Sequence, residues 1–110
     1  MSPTQKSLID EIRDTIVREV HPRMIVLFGS QARGDGGPDS DWDFLIVGEA
    51  DPKESRRHQL GRLYCALGHF PISKDLLLYT PEEVETWRGA RNHVIAQALR
   101  EGRIVYERAS

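Results

Sequence analysis

An α/β fold is predicted by three observations. Short apolar runs at Met24–Phe28, Asp41–Val47 and Ile72–Tyr79 have the length and composition of buried strands. Between them lie stretches with helical apolar spacing and recognisable start and stop residues. No repeat, low-complexity tract or linker divides the 110 residues, so positions 1–110 read as one domain with a single core. Strands that alternate with helices bring sequential strands into one sheet.

The elements follow in order. Thr4 is suited to cap a first helix, whose apolar positions Leu8, Ile12, Ile16 and Val20 recur at helical spacing. His21-Pro22 stops that helix, because a residue before proline is pushed out of the α region. Met24 to Phe28 forms the first strand. Gly29-Ser30 ends it, and Ser30-Gln31-Ala32-Arg33 reads as the first turn of a short helix. Gly34 to Ser40, with three glycines and Pro38, reads as a mobile loop before the second strand, Asp41 to Val47.

Asp51-Pro52 is expected to open the next helix, with proline in the first turn where its missing N–H costs nothing. Leu60, Leu63, Tyr64 and Leu67 supply its apolar positions, and Gly68 its C-cap. Ile72 to Tyr79 is the third strand, interrupted by Lys74-Asp75. Thr80-Pro81-Glu82-Glu83 joins a capping residue, a proline and two acids that suit the helix dipole, which marks a helix start. A last helix is predicted over Ala90 to Glu101, ended by Gly102, and a short strand over Arg103 to Tyr106.

Composition narrows the function classes. A formal net charge of −2 provides no electrostatic footprint for direct nucleic-acid binding. The single cysteine, Cys65, rules out an internal disulfide framework and suits a reducing compartment; its place among apolar helical residues predicts burial. The N-terminal residues lack the apolar core of a signal peptide, and no apolar run reaches membrane-spanning length. The chain reads as cytoplasmic and unprocessed, with no membrane association. The histidines at 21, 58, 69 and 93 have no spacing typical of zinc ligands.

Chemistry concentrates between Gly29 and Asp43. Side chains two apart on a strand share one face, roughly 6.5–7 Å apart along it. Asp41 and Asp43 therefore point together and Trp42 points away, which favours packing for Trp42 over stacking on a base. Two carboxylates so placed can grip one Mg²⁺ or share two ions roughly 3.5–4 Å apart. Asp75, near the start of the next strand, completes the set if that strand lies beside Asp41–Val47. It would hold an ion, accept a nucleophile's proton, or do both. Opposite the acids, the backbone N–H groups after Gly29 attract phosphate, Gly29 removes side-chain bulk and Ser30 adds a hydroxyl. Arg33 has two readings, a contact to the triphosphate or a pair with Asp35 or Asp39.

Rival motifs fail at identifiable positions. Asp39-Ser40-Asp41-Trp42-Asp43 opens like an EF-hand loop, but Phe44 stands where glycine is required and Ala50 where glutamate is required. Gly29-Ser30-Gln31 lacks the Gly-Lys-Ser/Thr of a P-loop and the glycine pattern of a dinucleotide site.

Gly29-Ser30, ten residues, then Asp41-Trp42-Asp43 resembles the signature of the DNA polymerase β-type nucleotidyltransferase superfamily. The short chain and Ala32-Arg33-Gly34 are similar to its minimal branch, whose members often serve as antitoxins paired with a helical HEPN ribonuclease toxin. The resemblance is tight from Phe28 to Val47. It implies the nucleotidyltransferase fold, an α+β arrangement with a small mixed central sheet and flanking helices. It assigns Gly29 and Ser30 to nucleotide phosphate, and Asp41, Asp43 and Asp75 to metal and catalysis. The implied reaction is Mg²⁺-dependent transfer of AMP from ATP, in toxin-paired members to a tyrosine of the partner. An AMP-transferring antitoxin acting on a HEPN-type toxin is thus the leading expectation. A non-catalytic binding antitoxin and transfer to a small molecule such as an aminoglycoside are the rivals. Trp87 and Arg91 have no assigned role.

Overall fold

The structure, a computed structural model, describes residues 3–37 and 40–109. Pro38 and Asp39, read above as part of the loop and in Asp39's case as a partner for Arg33, lie outside the described residues. The elements are α1 (Pro3–Val20), β1 (Met24–Phe28), α2 (Ser30–Arg33), β2 (Trp42–Val47) and α3 (Arg56–Ala66). They continue as β3 (Lys74–Tyr79), α4 (Pro81–Trp87), α5 (Val94–Glu101) and β4 (Arg103–Glu107).

The four strands form one mixed sheet in the order β3-β2-β1-β4. β1 pairs antiparallel with both β2 and β4, whereas β2 and β3 are parallel. The parallel pair requires a crossover, and α3 supplies it. Alternation along the strands divides the core in two. On one face Ile25, Leu27, Trp42, Phe44, Ile46, Leu76 and Leu78 pack against Ile9, Ile12 and Ile16 of α1 and Leu63 of α3. On the other, Val26, Phe28, Leu45 and Val47 pack against Val84 of α4 and Ile95 and Ala98 of α5.

α5 reaches the sheet closely at its end. A Cβ on Gly102 would collide with Val26 Cγ1 and Ala98 O, so only glycine lets the chain turn from α5 into β4 there. Among the described residues no helix is long and apolar enough to cross a membrane.

Several boundaries differ from expectation, each for a local reason. Thr4 lies inside α1 instead of capping it. Asp51-Pro52 does not open α3: the Asp51 carboxylate accepts from Lys53 N at 2.8 Å and Glu54 N donates to Asp51 O, which makes a turn. The helix starts after Ser55, whose hydroxyl accepts from His58 N. Its C-cap is Leu67, with Gly68 one residue beyond. The last helix starts at Val94 because His93 N donates to Ala90 O and closes a turn over 90–93, and the His93 ring caps the helix, accepting from Ile95 N at 3.1 Å. β3 begins at Lys74 and not at Ile72, and β2 begins one residue after Asp41. Cys65 is exposed, not buried, because it lies on the side of α3 away from Leu63 and Leu67.

Candidate active site

Strand pairing brings Asp43 and Asp75 to one end and one face of the sheet, and Asp41 stands just ahead of β2. Asp43, the second residue of β2, is the register partner of Asp75 on parallel β3 and of Phe28 on antiparallel β1. Paired positions on neighbouring strands lie about 4.8 Å apart and their side chains share a face. Leu45 and Leu77, two residues along, face α4 and α5, so Asp43 and Asp75 project to that side. Trp42 points to the opposite face and is buried, as its place between two aspartates predicts. Asp41 precedes β2 and is exposed.

β1 delivers the glycine turn to the same place. Gly29 directly follows Phe28 and has φ +78°, the left-handed region that favours glycine. Asp43 Oδ2 lies where a Cβ on Gly29 would stand, so the carboxylate rests against the turn backbone. Ser30 opens α2, and its carbonyl accepts from the N–H groups of Gly34, Asp35 and Gly36 at 3.0, 3.2 and 3.1 Å. Asp43 is thus flanked by the turn on one side and Asp75 on the other.

The electrostatics report the crowding. Burial pushes the Asp43 carboxyl above the ordinary carboxylate range, and the charges of Asp75 and Asp41 push it further. The Arg33 guanidinium opposes them. Arg33 is itself engaged, pairing with Asp35 at 3.3 Å and Glu101 at 3.4 Å. Among the described residues no three His, Cys, Asp or Glu side chains are drawn together into a finished metal cage. The acids nevertheless sense one another, and their donors are all hard carboxylate oxygens. That donor set fits Mg²⁺, because a hard cation prefers oxygen ligands and would offset the negative charges of Asp75 and Asp41 beside Asp43.

Sequence patterns did not reveal three side-chain anchors, two beside the site and one away from it. Gln31, in the position between Ser30 and Ala32, is buried and holds the following loop through its side-chain amide. Tyr64 accepts the Leu76 N–H at 2.9 Å, one residue past Asp75 on the sheet edge. Arg62 joins Glu54 at 2.8 Å and Glu19 at 3.0 Å, tying α3 to the end of α1. Their partners lie from six to 43 residues away, beyond the reach of helix or strand periodicity. Trp87 stacks on His93, ring centroids 4.5 Å apart and 13° from parallel. Arg91 is exposed.

A comparison with known families decides the assignment. Residues 9–105 match the family described as nucleotidyltransferase domain. The chain belongs to that family. Similar solved structures include one assigned as a minimal nucleotidyltransferase, with 23% identity, 91% of each chain covered and a TM-score of 0.62. A toxin-antitoxin structure with AMP-PNP has 21% identity, covers 90% of this chain and 73% of that one, and has a TM-score of 0.56. The toxin-antitoxin MntA-HepT has 20% identity, covers 93% and 73%, and has a TM-score of 0.51. At these identities the likeness is one of fold. No curated protein matches the chain. The nucleotidyltransferase fold, with its mixed four-stranded sheet and flanking helices, is the architecture expected above.

Proposed function

We propose that this nucleotidyltransferase domain transfers AMP from ATP to a hydroxyl of a partner protein, a HEPN-type toxin, and so acts as its antitoxin. The observation that carries the reading is the placement of Asp43 between the Gly29-Ser30 turn and Asp75, with Asp41 adjoining. A phosphate-accepting backbone and an oxygen-donor set at one sheet end are what phosphoryl-type transfer requires. The toxin-antitoxin structures of the same fold, one of them with AMP-PNP, support the choice of partner and nucleotide.

In this reading the backbone N–H groups of Ser30 and Gln31 and the Ser30 hydroxyl bind triphosphate oxygens. Asp41, Asp43 and Asp75 hold Mg²⁺, two ions being the expected number. When bound, the metal neutralises triphosphate charge and lowers the pKa of an attacking hydroxyl. Asp75, at the exposed edge strand, orients the acceptor hydroxyl and takes its proton. The acceptor oxygen forms a bond to the α-phosphorus, the bond from that phosphorus to the bridging oxygen breaks, and pyrophosphate leaves. Arg33 contributes positive charge beside Asp43, and a direct contact to the triphosphate requires release from Asp35 or Glu101.

The test is incubation of the protein with Mg²⁺, α-labelled ATP and a candidate HEPN-type toxin. Label should appear on the toxin and vanish with Asp41→Ala plus Asp43→Ala. No label from folded wild-type protein overturns the reading. Toxin inhibition that survives the double substitution assigns the protein to stoichiometric binding instead.

A further inference from the structure

The loop between the glycine turn and the acids is held from α2 by one buried side chain. Gln31 is 9% exposed, and a buried amide needs partners. Its Nε2 donates to Gly37 O at 3.2 Å and to Ser40 O at 3.3 Å. Gly37 and Ser40 are also joined to each other, Gly37 N to Ser40 Oγ at 2.9 Å and Ser40 N to Gly37 O at 3.1 Å. The amide therefore grips both described ends of the loop at once. Ser40 directly precedes Asp41, and Trp42 N, just after it, donates to Ser73 O at 2.9 Å. Asp41 is thus suspended between a backbone anchor on the β3 side and the Gln31 anchor on the α2 side.

We propose that Gln31 is a positioning residue for Asp41. It fixes the backbone from which Asp41 reaches the site, and so sets cation affinity without touching the cation. The inference rests on the metal-site reading of Asp41 and Asp43. Without the Gln31 donors, a glycine-rich segment would leave Asp41 free to sample many positions, and each binding event would have to order it. Partners that orient metal ligands from behind typically change affinity by 10–100-fold when removed.

The test measures binding of Mn²⁺ alone by paramagnetic titration, with amide hydrogen exchange on the same proteins. Wild type, Gln31→Met and Gln31→Glu are compared with Val84→Ala, which loosens the core under α4 away from this loop. Gln31→Met keeps the side-chain size but has no donor. Gln31→Glu keeps the shape, loses the donors, and serves if the Met variant does not fold. The expected result is Mn²⁺ affinity lower by about 10-fold in the Gln31 variants, with faster exchange at the Ser40 amide. Val84→Ala should bind Mn²⁺ as wild type does. Wild-type affinity in the folded Gln31 variants overturns the inference, as does an equal loss in Val84→Ala. Failure of wild type itself to bind Mn²⁺ overturns the site reading, and this inference with it.

Discussion

Asp43 Oδ2 fills the space that a side chain on Gly29 would need, so the glycine turn and the central carboxylate are fitted to each other. Gly29 carries two constraints at once, a positive φ of +78° and this approach. Gly29→Ala should cost about 1–3 kcal/mol through backbone strain alone, because φ +78° with ψ −162° is a conformation adopted almost only by glycine. It should also displace Asp43, and misplacement of about 1 Å at a reacting centre lowers rates on the order of 100-fold. Urea unfolding and a labelled-AMP transfer assay measure the two effects. Transfer within a few-fold of wild type would show that Asp43 can stand elsewhere and still serve.

Asp43 is held above the ordinary carboxylate range by burial first and by Asp75 and Asp41 second. A carboxyl whose pKa is raised by folding favours the fold fully below its unfolded pKa. That contribution is lost as pH rises through the folded pKa. In the metal-free protein, Asp43→Asn should therefore raise Tm at neutral pH while abolishing transfer. The gain should stay under about 1 kcal/mol because the group is only partly buried and solvent still screens it. Mg²⁺ should raise the Tm of wild type and leave that of the variant unchanged. A variant with lower Tm than wild type in the absence of metal would contradict the repulsion.

How far the sequence reaches depends on the range of the interaction. β1, α2, the start of α4 and the end of α5 are governed by neighbours within about a turn, and patterns find them. Thr80 and Glu83 form the reciprocal cap that their spacing predicts. The Asp51-Pro52 reading erred because aspartate before proline serves a turn as well as a helix start, and Ser55 capped more effectively. Alternation placed Trp42 and Asp43 on opposite faces but took Asp41 into a strand that begins one residue later, and Asp75 became the neighbour of Asp43 only through the parallel β2–β3 register. Gln31 and Tyr64 were not legible, since each acts on backbone that only the folded chain brings near.

Glu54 is pulled down to about 2, first by its hydrogen bond from Arg62 and also by that from His58. A depressed carboxyl stabilises the fold above its unfolded value of 4.5 and loses that contribution as pH falls toward about 2. Arg62→Met should return the Glu54 pKa toward the ordinary range and flatten the dependence of stability on pH within that window. Titration of the Glu54 carboxyl by NMR, paired with urea unfolding at several pH values, reads both. An unchanged Glu54 titration would remove Arg62 as the cause.

Gly102 has no room for a methyl group between the last turn of α5 and β1. Gly102→Ala should destabilise by about 1–3 kcal/mol, the usual cost of overpacking. Because Glu101 pairs with Arg33, the shift should also reach α2. A urea midpoint within error of wild type would mean that α5 moves away freely.

Tyr64 guards the outer edge of β3. Its hydroxyl accepts the Leu76 N–H at 2.9 Å, a group that has no strand partner on that side because β3 ends the sheet. Tyr64→Phe leaves that N–H without its partner at a cost of about 1–2 kcal/mol, less where water replaces the hydroxyl. The neighbouring residue is Asp75, the register partner of Asp43, so loosening this edge should act on the acid proposed to orient the acceptor. The expected result is faster hydrogen exchange at the Leu76 amide and a lower rate of AMP transfer, with Mn²⁺ binding at Asp41 and Asp43 less affected. Faster exchange with an unchanged transfer rate would separate edge protection from the placement of Asp75.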